Sequence, residues 1–148
     1  MLEGEVTGMK KLWFLIVLAG CGSRPVTPQD QLDKELSAML SGAALVGQST
    51  TWKKPGLSGE ERYSIDGMTK VSGKTWLLRT RMKLGEKEWP LPVPVTIEWA
   101  GDTPMSQVTD VAMPGGPYSA RVLLYKDQYA GTWLGPGRGG QLFGKIVR

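Results

Sequence analysis

The residues able to do chemistry in this chain are few, and what is missing narrows them further. The sequence holds 14 acidic residues, a single cysteine and no histidine, so a reaction run by this chain would fall to carboxylates. Glycoside-type hydrolysis needs two carboxyl groups facing one cleft at a set separation. The candidates are Glu60, Glu61, Glu98, Asp102 and Asp110, and nothing in their spacing pairs two of them. Asp110, between Val108 and Ala112 on its strand face, fits a buried, pKa-shifted position as well as a surface one. With neither histidine nor asparagine in the chain, Ser-His-Asp and Cys-His-Asn arrangements and imidazole zinc sites are excluded by absence. No catalytic residue, metal ligand or cofactor is assigned.

The aromatic residues offer binding instead. Trp52, Trp76, Trp89, Trp99 and Trp133, with Tyr63, Tyr118, Tyr125 and Tyr129, could line an apolar or sugar-stacking pocket. Trp76, Trp99, Trp133 and Tyr129 are the candidate pocket residues, and the competing reading is that they fill the core, as side chains do in most small barrels. Arg79, Arg81 and Lys83 make a basic stripe that could meet anionic headgroups or an acidic envelope polymer; the plainer reading pairs them with acids such as Glu98 across a sheet. Gly135-Pro136-Gly137-Arg138-Gly139-Gly140 has the G-x-G-x-x-G spacing of a dinucleotide loop. Only eight residues follow it, too few for the required helix, so a hairpin turn is expected. The +4 net charge is modest, and no nucleic-acid partner is expected.

The sole cysteine stands at the end of a distinctive run. Lys10 and Lys11 precede an apolar stretch from Leu12 to Ala19, charged and then apolar like a secretory signal and too short to cross a bilayer as a stable helix. Leu18-Ala19-Gly20-Cys21 resembles the lipobox of bacterial lipoproteins. An uncleaved anchor, or a buried helix ending in Ala-Gly-Cys, is the alternative. The resemblance implies cleavage before Cys21, acylation of its thiol, and a membrane partner through that lipid. With Gly22 rather than aspartate next, it also implies the outer membrane, facing the periplasm. Glu3 and Glu5 place acid where such signals carry only positive charge, so translation is expected to begin at Met9. Two or three acyl chains hold a protein at a membrane almost permanently, at about 0.8 kcal/mol per buried methylene.

The elements that must position these residues follow from pattern. Residues 1–20 read as signal peptide and 21–27 as a lipidated tether, spanning at most roughly 25 Å. Thr27 reads as an N-cap with Pro28 at the first helical position, and Leu32, Leu36, Met39 and Leu40 recur at helical spacing over residues 28–42. Asp30, Asp33, Lys34 and Glu35 take the other faces. Because this polar face is acidic, the apolar stripe is expected to pack on the domain rather than on lipid. Residues 44–148 form the remaining domain.

From Ala44 the period changes to 2, and glycine or proline clusters punctuate the chain every 8 to 14 residues. Strands are expected near 44–52, 60–70, 74–84, 91–99, 105–113, 118–126, 129–134 and 140–147. In the third, Trp76, Leu78, Thr80, Met82 and Leu84 share one face; in the fourth, Leu91, Val93, Val95, Ile97 and Trp99 do. Pro90, Pro92 and Pro94 put their missing N–H groups along one strand edge, where no full ladder can form. The fold class is all-β: an antiparallel up-and-down meander of about eight strands, as a small barrel or rolled sheet, preceded by one amphipathic helix covering an end or the weakened seam. Two stacked sheets also fit.

Tyr129-Ala130-Gly131-Thr132-Trp133 followed by Gly139-Gly140-Gln141-Leu142-Phe143-Gly144-Lys145-Ile146 is similar to the terminal strands of small bacterial envelope β-domains. It loosely resembles the Gly-x-Trp strands of lipocalin-type and avidin-type barrels. That likeness implies architecture and carries no ligand-binding residue. The expected function is an envelope lipoprotein whose non-catalytic β domain binds a partner protein, an envelope polymer or a small apolar ligand. The alternatives are a structural lipoprotein supporting an envelope assembly and a carboxylate-dependent hydrolase.

Overall fold

Thr27 opens the first element as its side chain predicts. The computed structural model describes residues 24–84 and 86–148, with side chains 82–84 outside that description; the lipobox and Cys21 lie outside it too. The α1 helix spans Pro28–Leu40. Asp30 donates its N–H to Thr27 Oγ1 at 3.1 Å while its carboxylate accepts the Thr27 N–H at 2.9 Å, a reciprocal capping box. Gly42, at φ 75°, lets the chain turn out of the helix into the left-handed region that side chains resist.

Eight strands follow: β1 (Ala44–Ser49), β2 (Glu61–Ser72), β3 (Thr75–Leu84), β4 (Lys87–Ala100), β5 (Thr103–Met113), β6 (Gly116–Tyr125), β7 (Gln128–Gly135) and β8 (Arg138–Val147). Ser72↔Thr75, Ala100↔Thr103, Met113↔Gly116, Tyr125↔Gln128 and Gly135↔Arg138 are paired across two-residue turns, too tight for anything but an antiparallel neighbour. Gly135–Gly140 thus forms a hairpin, as expected. β1 then pairs with β8 from Ala44↔Val147 to Ser49↔Leu142, closing an up-and-down barrel in the order β1 to β8. That closure excludes an open rolled sheet and two stacked sheets.

The α1 helix covers one end of this barrel. Leu36 and Leu40 are buried with Ile65, Met68, Trp76, Val95, Ile97, Leu124, Tyr129 and Ile146 in one cluster. Ser37 Oγ donates to the Met68 carbonyl at 2.6 Å and Gly42 N–H to the Ile65 carbonyl at 2.9 Å. Asp33 departs from the expected polar face: it is 8 % exposed, ion-paired with Lys70 of β2, and accepts from Gln29 Nε2 at 2.9 Å. A helix laid against a strand buries the flank of its apolar stripe, and the carboxylate there is tolerated because both partners satisfy it.

β4 begins four residues before the expected Leu91, at Lys87, and its prolines explain both that length and a gap. Ile97 donates its N–H toward β3, to the Lys74 carbonyl at 2.9 Å, so Leu91, Val93 and Val95 also direct theirs to β3. Pro90, Pro92 and Pro94 therefore face β5. Pairing with β3 runs unbroken from Thr75↔Thr96 to Leu84↔Lys87, whereas pairing with β5 stops at Thr96↔Gln107. The weakened seam predicted from the prolines is the β4–β5 wall, open toward the barrel end opposite α1.

Candidate ligand-binding mouth

Inward-facing residues differ in size along the barrel axis, and that difference leaves space at one end. Near α1, Met68, Trp76 and Ile97 are each at most 2 % exposed and fill the lumen. Toward the opposite mouth, the paired inward positions Ala120↔Trp133 and Trp133↔Gly140 set small residues beside one large one. The walls do not meet there. A cavity of about 440 Å³ results, lined by Ser49, Glu61, Tyr63, Val108, Met113, Pro114, Tyr118, Ser119, Ala120, Trp133, Arg138 and Leu142. Its size and apolar walls with a few polar groups are those of a small-ligand site.

One wall carries a carboxylate. Register with Gly47 and Leu45 of β1 turns Glu61 and Tyr63 inward. Ser49 Oγ donates to Glu61 Oε1 at 2.7 Å and the Tyr63 hydroxyl donates to Glu61 Oε2 at 2.7 Å. Tyr63 is 46 % exposed as a whole residue, but partial desolvation, then the hydrogen bond and charge of Glu61, push its phenol above the ordinary tyrosine range. Deeper in, burial and the same charge raise Tyr129. Both phenols are thereby held neutral.

The facing wall is an aromatic shelf. Trp133 and Tyr118 stack with centroids 6.3 Å apart and planes at 26°, and Trp133 Nε1 donates to the Thr50 carbonyl at 3.1 Å, which fixes the indole. Arg138 lies over the Tyr118 ring, 5.5 Å from its centroid, and donates to its hydroxyl. Gly135 makes the shelf possible, because a Cβ there would stand 2.7 Å from the Tyr118 ring.

Trp133 lines this cavity, whereas the other three residues of the sequence-based pocket lie elsewhere. Trp76 and Tyr129 are core residues, 2 % and 3 % exposed. Trp99 lies at the far end, in a groove with Leu36, Met39, Pro104 and Leu124 beneath α1. Trp52 and Trp89 are exposed, at 71 % and 54 %, on the segments that rim the mouth.

Of the carboxylates, Glu61 is the one lining the cavity. Asp110 is exposed on a bulge of β5 at φ 51°, where its N–H donates to Ser119 Oγ at 2.9 Å. Glu98 binds Lys74 at 2.7 Å rather than the basic stripe. Arg81 instead bridges Asp66 at 2.9 Å and Glu88 at 3.2 Å, and Arg79 donates to Thr69 Oγ1 at 3.1 Å. Sequence reasoning took Glu61 and Tyr63 as separate candidates. The signal joining them is the i, i+2, i+4 series Glu61, Tyr63, Ile65, which shares the inward face of β2.

Compared with known proteins, the chain matches no family model, no curated protein and no solved structure.

Proposed function

We propose that this chain is an envelope lipoprotein, anchored through acylated Cys21 at the outer membrane and facing the periplasm, whose barrel binds a small, largely apolar ligand at its mouth. The observation carrying the binding reading is the cavity of about 440 Å³ at the end opposite α1, walled by aromatic and aliphatic side chains around Glu61. The lipobox sequence supports the anchor. Because α1 caps the end of the barrel that adjoins the tether, the mouth is free to meet a ligand while the chain is held by lipid.

Titration of the purified protein with the neutral apolar fluorophore 1-N-phenylnaphthylamine tests the binding reading. Saturable enhancement at one site per chain, weakened by a bulky Ala120→Trp that fills the cavity, is the expected result; no saturable binding would refute it. Mass spectrometry of envelope fractions tests the anchor. A diacylglyceryl mass on an N-terminal Cys21 is expected, and an unmodified Cys21 or an intact residue 1 contradicts it.

A second reading, an interaction platform in an envelope assembly, draws on exposed Trp52, Leu57 and Trp89, which are 71 %, 55 % and 54 % accessible. Large apolar side chains exposed on a rim suit a protein partner.

A further inference from the structure

We infer that the mouth selects a ligand bearing a cationic nitrogen on an apolar body, and that Glu61 receives that nitrogen. This rests on the mouth being a binding site, as proposed above. The Glu61 carboxylate uses one acceptor site on each oxygen, for Ser49 and for Tyr63, both at 2.7 Å. A carboxylate offers about four such sites, so about half its accepting capacity is left for a ligand.

None of the ion pairs among the described residues includes Glu61, and both of its hydrogen-bond donors are neutral hydroxyls. A ligand cation entering this cavity would gain a charge-assisted contact with that carboxylate. The surrounding surfaces suit the same group, because Tyr63, Tyr118 and Trp133 line the cavity with Glu61 and aromatic faces attract ammonium groups. Arg138 lines the same cavity without an ion pair to Glu61, donating to the Tyr118 hydroxyl and lying over its ring. It is also the group an anionic ligand would use, which makes an anion the competitor to test.

The experiment displaces bound 1-N-phenylnaphthylamine with three ten-carbon amphiphiles below their micelle concentrations: decyltrimethylammonium, decanol and decyl sulfate. Decyltrimethylammonium is expected to compete about tenfold more strongly than decanol, the effect of roughly one added charge contact. Glu61→Gln, which keeps the shape and an acceptor for Tyr63, is expected to bring decyltrimethylammonium level with decanol, and a thermal melt matching that of the unsubstituted protein reports that the variant folds. Equal competition by decyltrimethylammonium and decanol overturns the inference and leaves the mouth as an apolar site. Preference for decyl sulfate, lost in Arg138→Gln, overturns it in favour of an anion. Failure of the fluorophore itself to bind overturns the binding reading together with the inference.

Discussion

The Tyr63 hydroxyl donates to Glu61 Oε2 at 2.7 Å from a position two residues along the same inward strand face. The carboxylate's charge and its hydrogen bond both help to hold the phenol in its neutral form.

The first prediction concerns alkali. Burial and Glu61 raise the Tyr63 phenol, and burial with Glu61 raises Tyr129. The folded state therefore holds these protons more tightly than the unfolded chain, whose tyrosines titrate near 10. Their contribution to stability is complete below about pH 10 and is lost as pH rises through the folded values. Thermal melts are expected to fall off above about pH 10, and Glu61→Gln should bring the Tyr63 phenolate absorbance to a lower pH than in the unsubstituted protein.

Acid acts at the other end of the molecule. The Thr27 backbone and side chain hold the Asp30 carboxyl below its usual range, so its charged form favours the folded helix start. That contribution is present above the usual value, about 4, and disappears as pH falls through the lowered one. Protection of the amides of residues 29–33, relative to their intrinsic exchange rates, should fall on acidification below about pH 4, and Thr27→Ala should show low protection there already at neutral pH.

The closure of the barrel depends on two glycines facing each other. A Cβ on Gly47 would stand 2.0 Å from the Phe143 carbonyl oxygen, 2.6 Å from the Tyr129 hydroxyl and 2.7 Å from Gly144 Cα. Gly47→Ala is expected to cost about 1–3 kcal/mol through overpacking. Gly59→Ala, with nothing within 4 Å of the added Cβ, should stay within about 0.5 kcal/mol. Urea denaturation of the two variants makes the comparison.

The α1 helix is held to the barrel by charge as well as by leucines. Asp33 pairs with Lys70, their side chains being 10 % and 37 % exposed. Solvent screens the lysine, so the pair ranks between a surface and a buried bridge, and Asp33→Asn is expected to cost about 1–2 kcal/mol in chemical denaturation. A neutral result would mean that Leu36 and Leu40 dock α1 by themselves.

Local grammar made much of this legible. The Thr27 cap, the alternation of β3 and β4, and the edge carrying the prolines could all be read because each depends on residues a few positions apart. What stayed hidden depends on strands meeting. Thr50 accepts from Trp133 across 83 positions of sequence, and no period reveals which end of the lumen such contacts leave empty. Bulges hide more: the register shift between Ile65 and Gly67 moves Met68 into the core at 2 % exposure, where strict alternation from Ile65 would have put Gly67. Asp33 shows the same limit, since a helical wheel places it with the polar residues and only the approach of Lys70 makes its burial tolerable.

The open flank of β4 has a bearing on life in a crowd. Under the anchoring proposed above, the protein would be concentrated in two dimensions beside its own copies, and an unpaired strand edge in such company invites a neighbour's strand to add on and start an aggregate. Pro90, Pro92 and Pro94 turn toward that edge with no N–H to give, so an incoming strand would find acceptors without donors. On its β4 side the gap therefore lacks the donors that strand addition needs.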